Sequence, residues 1–280
     1  MANATNGAAD ASAAVDRAAL TLTVDADGIA WLTFDRPESK ANILTRGVME
    51  RLDSLLAEVE SGAGAGRVRA LVVTSGKPGM FIAGADIDEI AHITDPAEGE
   101  AGAGKGQAVF LRLDRLPIFT VAAIDGICLG GGTELALACD YRIAADAPAT
   151  RIGLPEIQLG IIPGFGGTTR LPRLVGLAAA LPLILTGKPV SASRAHRMGL
   201  INERVHPAIL VERSGALVRE VLAGRPGVAR DIVLINAAAA LWIAGRAATL
   251  PAGVGKAAAA IDSGAASELL ARLVERTNAG

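Results

Sequence analysis

Cysteine is scarce: Cys128 and Cys139 are the only two among 280 residues. Two thiols in apolar surroundings make neither a C-x-x-C zinc site nor a disulfide framework, and they read as reduced, buried side chains of a cytoplasmic protein. Excess charge is also lacking, with 27 basic side chains against 29 acidic ones and a formal charge of -2. No global field therefore draws in nucleic acid or an anionic membrane, and any bound anion must be held locally. No run of about 18 apolar residues free of charge, glycine and proline occurs, which argues against a membrane span. The first 18 residues have neither the basic segment nor the continuous apolar segment of a signal peptide, and residues 1–18 are expected to form a disordered lead-in. What is present is apolar material, 51% of the chain against 20% charged, enough for the sizeable core of a soluble globular protein.

Leu20 to Val24 and Ile29 to Phe34 are β-branched runs separated by Asp25-Ala-Asp-Gly28, which predicts an opening hairpin. Apolar residues recur at helical spacing from Leu44 to Val59, before Ser61-Gly-Ala-Gly-Ala-Gly66. Val68 to Thr74 reads as a buried strand. A helix over Gln107 to Leu116, a strand over Ile118 to Ile124, a glycine cluster and a helix over Glu134 to Cys139 follow. Strands alternating with helices imply an α/β architecture with parallel pairing and ligands at strand ends.

Two glycine-rich stretches imitate nucleotide-binding loops. Gly99 to Lys105 has the spacing GxxxxGK, but Gly106 stands where a magnesium-binding Ser or Thr belongs and no strand precedes it. Gly62 to Gly66 follows a helix and precedes a strand, the reverse of a dinucleotide fingerprint, and reads as a flexible connection.

The informative segment is Ile124-Asp-Gly-Ile-Cys-Leu-Gly-Gly-Gly-Thr-Glu-Leu-Ala-Leu-Ala-Cys-Asp140. A buried strand enters Gly130-Gly-Gly132 and passes straight into a helix, so loop and first-turn amides converge where negative charge is favoured. Glu134 lies in that first turn, and the glycines allow close approach of a substrate. On these residues alone, a tight strand-to-helix turn with a solvent-facing carboxylate is an equal reading. Phe81-Ile-Ala-Gly-Ala-Asp-Ile-Asp88 is a second strand-to-loop passage able to present a backbone N–H. Gly153-Leu-Pro-Glu156, ahead of a glycine- and proline-rich stretch from Gly160 to Arg173, supplies a second carboxylate.

Together these segments resemble the crotonase, or enoyl-CoA hydratase/isomerase, superfamily. The likeness runs from about Leu20 to Val205, including Thr186-Gly-Lys-Pro-Val190 and Ala195-His-Arg-Met-Gly-Leu200. It looks nearest to the hydratase domain of fatty-acid oxidation multifunctional α subunits, through Ser75-Gly-Lys-Pro-Gly79 and Gly153-Leu-Pro-Glu156. The resemblance implies a spiral of ββα units over residues 19–205 with a C-terminal α-helical region. It implies that the amides of Ala85 and Gly131 form an oxyanion hole for a thioester carbonyl, with Glu134 and Glu156 flanking the C2–C3 bond. Coenzyme A, as part of the substrate and not a separate cofactor, would lie along Lys40, Ala41 and Ile43 and along Ala83, Asp86, Ile87 and Asp88. Asp88 stands where simple mitochondrial-type hydratases tend to have lysine. His92, His196 and His206 match no hydratase role and are expected at the surface or in packing.

Hydration of a trans-2-enoyl-CoA in β-oxidation is the activity the resemblance implies. Addition of water builds an enolate, which fixed N–H donors stabilise, and two carboxylates divide the proton transfers. The sequence leaves open which glutamate does which, while the resemblance gives water activation to Glu134 and proton delivery at C2 to Glu156. Isomerisation of Δ3- to Δ2-enoyl-CoA, another crotonase-type lyase or hydrolase reaction on an acyl-CoA, and acyl-CoA binding by a fusion protein without turnover are the alternatives. An acyl-CoA substrate, no nucleic acid or membrane partner, and a homo-oligomer, a trimer or dimer of trimers, are expected.

From about Ser214 the resemblance changes. Val221 to Trp242, Ala260 to Ala265 and Leu269 to Val274 resemble the C-terminal end of anthranilate phosphoribosyltransferase, without that family's diphosphate loop or acidic metal-binding pair. Residues 206–280 are therefore expected to be a helical region of atypical origin, and the alternative is amphipathic helices with similar Ala-rich packing.

Overall fold

The structure, a computed structural model, describes residues 14–37 and 39–265. It opens with the predicted hairpin, β1 (Leu20–Val24) and β2 (Ile29–Phe34), paired antiparallel from Leu20–Phe34 to Val24–Ala30. Helix α1 (Arg46–Gly64) follows, and then each turn of the spiral gives one strand to each of two sheets. β3 (Ala70–Ser75), β5 (Phe119–Ile124) and β7 (Tyr141–Ala145) enter a six-stranded sheet of order β1-β2-β3-β5-β7-β10, with β10 at Glu203–Val205. Their successors β4 (Met80–Ile82), β6 (Ile127–Leu129) and β8 (Arg151–Gly153) build a four-stranded sheet closed by β9 (Val190–Ser191). From β2 to β10 the large sheet is parallel. All six residues of β5 are buried, as expected of a central parallel strand covered on both faces.

Helices complete the units: α2 (Ile87–Ala91) and α3 (Pro96–Asp114) after β4, α4 (Gly131–Leu137) after β6, and a 3-10 turn (Pro155–Leu159) after β8. Beyond them lie α5 (Gly167–Val175), α6 (Leu177–Thr186), α7 (Ala192–Arg197) and a C-terminal group, α8 (Leu210–Leu222), α9 (Val228–Ile243) and α10 (Leu250–Asp262). This is the expected α/β spiral of ββα units with a helical C-terminal region. No helix among the described residues is long and apolar enough to cross a membrane.

The crossovers between sheets are tight. Asp125 accepts a 2.9 Å bond from the Gly79 amide, and a Cβ on Gly126, at φ +73°, would collide with the Gly79 backbone. Thr133 Oγ1 lies 2.7 Å from Cys128 O and 2.8 Å from Gly153 O, which locks α4 to both strands beneath it. Cys128 and Cys139 are buried free thiols, and burial pushes Cys128 up to about 12.

Several expectations are corrected. Residues 14–18 form a helical turn, and buried Asp16 accepts a 3.0 Å bond from Thr45 Oγ1 and pairs with Arg36 at 3.4 Å. Residues 1–13 of the expected lead-in lie outside the described residues. Helix α1 runs through the Gly62–Gly64 segment read as a flexible connection, because Gly62 packs so closely under Val68 that a Cβ would stand 2.7 Å from it. Helix α3 begins at Pro96 behind an Asp95 cap, well before Gln107, since the capping bond to Ala97 offsets the weak propensity of the glycines inside it.

The C-terminal helices are part of the packing. Leu210, Leu217, Val218 and Val221 of α8 share a core cluster with Ile29, Val72, Val121 and Ile143 of the large sheet. Gly215 of α8 sits against Trp31, where an added Cβ would stand 3.3 Å from the indole. Helices α9 and α10 cross at Ala238 and Gly253, where a Cβ on Gly253 would approach Ala238 O to 2.8 Å. Residues 269–274 of the second resemblance lie outside the described residues.

Candidate active site

The site forms where the chain leaves the small sheet at β4, β6 and β8. Leu44 pairs with the segment after β4: its amide donates to Gly84 O at 2.8 Å, and Asp86 N donates to Leu44 O at 3.2 Å. Backbone groups alternate in direction along an extended chain, so the Ala85 N–H faces away from Leu44. Ala85 N lies beside Gly131, where a carbon one bond out from the Cα would be 3.7 Å from it. The two amides expected to act together are thus brought together at the start of α4, every residue of which is buried. Gly130 makes the entry possible with φ +53°, a left-handed conformation that glycine takes without strain.

Glu134 is 2% exposed, and both of its protein hydrogen bonds fall on one oxygen. The amides of Phe165 and Gly167 each donate to Oε1 at 2.8 Å. Burial raises the Glu134 carboxyl above its ordinary value, while these amides and the nearby Arg170 pull it back. The fixed oxygen orients the carboxylate and leaves Oε2 for a further partner.

Glu156 lies on the 3-10 turn after β8 and is 9% exposed. Its Oε2 has no hydrogen-bond partner among the described residues. Burial, reinforced by the Glu134 charge, pushes its carboxyl up to about 7. Glu156 borders the glycine turn, Glu134 stands in the first turn of the helix that follows it, and the two are near enough for the Glu134 charge to act on Glu156. A Cβ on Gly130 would stand 3.3 Å from Glu156 Oε1, and one on Gly167 would stand 3.0 Å from Glu134 Oε1.

The expected coenzyme A residues divide. Ala41 and Ile43 are half-buried in the loop before α1, and Lys40 is exposed beside them. That loop hangs on Asn42, which is 1% exposed and whose Nδ2 reaches Ser75 Oγ at 2.9 Å and Phe81 O at 3.0 Å. Ala83 is fixed by its 2.8 Å bond to Asn42 O. The Asp86 carboxylate is occupied as the cap of α2, accepting from the amides of Asp88 and Glu89, while Ile87 and Asp88 are exposed. Asp86, Asp88, Glu89 and Glu98, with Arg46 and His92, line an open cleft of about 520 Å³. His92, His196 and His206 are exposed and lie apart from the glutamates in the sequence and fold.

Sequence reading missed the clamp on Glu134. The small residues of Gly164-Phe-Gly-Gly167 hinted at close packing, but no residue type announces a backbone amide, so the two donors became visible only with the fold. It also missed what Leu44 and Asn42 hold in place, because an apolar residue and an amide in a loop have no distinctive spacing.

Comparison with known proteins gives the family. Residues 25–238 match the family described as enoyl-CoA hydratase/isomerase. The fatty acid oxidation complex subunit alpha of Aliivibrio fischeri is 49% identical over 192 residues, covering 69% of this chain and 28% of that protein. The chain therefore spans little more than a quarter of the length of such relatives. An enoyl-CoA hydratase structure from Bacillus anthracis matches 86% of this chain and 89% of that one with TM-score 0.71 at 31% identity. One from Mycobacterium smegmatis covers 90% and 96% with TM-score 0.73 at 25% identity. The family match continues past Val205 through α8 and most of α9, the helices that pack on the large sheet. Matched to that family over residues 25–238 and folded as the same two-sheet spiral, this chain belongs to the enoyl-CoA hydratase/isomerase family of the crotonase superfamily.

Proposed function

We propose that the protein adds water to trans-2-enoyl-CoA thioesters, giving 3-hydroxyacyl-CoA, within fatty-acid oxidation. Two buried carboxyls with different hydrogen bonding, one of which acts on the other through its charge, carry this reading. The thioester oxygen accepts from the Ala85 and Gly131 amides and becomes the enolate oxygen as the reaction proceeds. Losing one such donor typically costs about 3–4 kcal/mol of barrier stabilisation.

Glu134, held through Oε1, takes a proton from water with its free oxygen as the hydroxyl forms a bond to C3. Glu156, protonated below about 7, delivers its proton to C2. A proton passing from Glu134 back to Glu156 restores the starting state, so one water is consumed and no other reagent is needed. Division of labour between paired carboxyls follows when their surroundings separate their proton affinities. The acidic rim formed by Asp86, Asp88 and Glu89 repels phosphates. It suits the uncharged pantetheine arm, whereas exposed Lys40 suits the phosphate end.

The test is loss of the conjugated-thioester absorbance of crotonyl-CoA on adding purified protein. Decay that disappears in Glu156→Gln supports hydration at this site. No decay with folded wild-type protein would sink the reading. The free oxygen of Glu156 also favours a second reading, Δ3- to Δ2-enoyl-CoA isomerisation, in which one carboxyl moves a proton between carbons. Conversion of a 3-enoyl-CoA without formation of a 3-hydroxy product would select it.

A further inference from the structure

We propose that the Phe165 ring limits the length of acyl chain the site accepts; the inference rests on the thioester reading above. The ring walls the space that the two amides face. A carbon one bond out from Gly131 would stand 3.5 Å from Phe165 Cδ2, 2.9 Å from Leu44 Cδ1 and 3.7 Å from Ala85 N. On its other side the ring presses on α3, where a Cβ on Gly106 would collide with ring carbons Cδ1 and Cε1. Phe110 meets it edge-on, with centroids 5.5 Å apart and planes at 89°. The ring is therefore a plug between Gly131 and α3.

Behind the plug lies a lane of small residues. Gly99, Ala103 and Gly106 recur at helical spacing on one face of α3, the face that also carries Phe110. The loop bearing the ring rests on this face, since a Cβ on Gly164 would stand 3.9 Å from Ala103 Cβ. An extended apolar chain entering past Glu134 and Glu156 runs into the ring and, without it, meets glycine and alanine.

The backbone beneath the ring is held independently. Phe165 N donates to Glu134 at 2.8 Å, Phe165 O accepts from Arg170 Nη1 at 3.2 Å, and Gln107 Nε2 donates to Gly164 O at 2.8 Å. Truncating the side chain therefore opens space while leaving the amide that orients Glu134 in place.

The experiment compares kcat/KM for trans-2-butenoyl-CoA and trans-2-decenoyl-CoA in wild type, Phe165→Ala and Phe165→Leu, with thermal melts to verify folding. Wild type is expected to favour the shorter substrate. In Phe165→Ala the ratio of long to short rises by roughly tenfold or more, a size typical of pocket discrimination against added methylenes. Phe165→Leu, which keeps apolar packing against Phe110, falls between and serves if the alanine variant does not fold. Equal loss on both substrates in the variants, or a wild type that already prefers the longer one, overturns the proposal. Failure of wild type on both thioesters overturns the underlying hydratase reading instead, and the two failures are separable.

Discussion

Between Gly126 and Gly132 a methyl group has nowhere to go. One on Gly126 would strike the Gly79 backbone, and one on Gly132 would stand 2.6 Å from Ile82 O. Between Gly99 and Gly104, in the first half of α3, the only atom near an added methyl is Ile93 Cγ2, 3.6 Å from Gly99, and Gly102 and Gly104 meet nothing within 4 Å. Both stretches are glycine-rich. In one, glycine is demanded by chains that touch; in the other, it weakens a helix without making a contact. Composition alone does not distinguish them, whereas the space around each Cα does.

The comparison is sharpest at its extremes. Gly126→Ala combines a left-handed φ with a backbone collision, and its destabilisation is expected to exceed about 4 kcal/mol, enough to abolish folded soluble protein. Recovery of a native circular dichroism spectrum would show that the crossover can relax, and would break the contrast.

Within the tight region, the carboxyls give a second measure. Glu134→Ala and Glu156→Ala are each expected to lower turnover at least about 100-fold in the crotonyl-CoA assay. Near-normal turnover in either variant removes that residue from the mechanism. Because the Glu156 carboxyl is raised from 4.5 to about 7, its neutral form favours the folded state. That contribution is full below pH 4.5 and is lost as the pH rises through about 7. Above pH 7 the buried charge therefore costs roughly 3 kcal/mol. Glu156→Gln should melt higher than wild type at pH 8, and the gap should close at pH 5. An equal gap at both pH values would locate the carboxyl in a wetter place. On the proposed division of labour, turnover of crotonyl-CoA should also fall as pH rises through about 7, where the Glu156 proton is lost.

How much of this was legible in the sequence depends on the kind of residue. The β1–β2 hairpin was readable to the residue, because β-branched runs bracket a turn of Asp and Gly. The glycine turn was readable from its composition, whereas Glu134 and Glu156 were singled out through the family resemblance, since a solvent-facing carboxylate was an equal reading of the residues alone. The small sheet was not, since β4, β6 and β8 have three residues each, too few to show a period. The first half of α3 was hidden by its four glycines. The clamp on Glu134 was hidden because its donors, at Phe165 and Gly167, are backbone amides.

Smaller effects sharpen the contrast inside one helix. Gly106→Ala, forced against Phe165, is expected to cost about 1–3 kcal/mol as an overpacked core change. Gly102→Ala and Gly104→Ala, two turns or less away, are each expected to stabilise by about 1 kcal/mol, since alanine has the higher helix propensity. Urea unfolding of the three variants gives the order directly. If all three move the same way, the space around Gly106 is not what the packing indicates.

The seat of Trp31 gives the molecule an optical handle. Its indole N–H donates to Asp25 at 3.1 Å, and its ring lies against Gly215 of α8. The chain has two tryptophans, and the other, Trp242, is 53% exposed. In a Trp242→Phe background, fluorescence then comes from a single half-buried indole at the seam between the opening hairpin and the C-terminal helices. Its emission maximum reports whether α8 is seated, and quenching by iodide should rise when that seam opens.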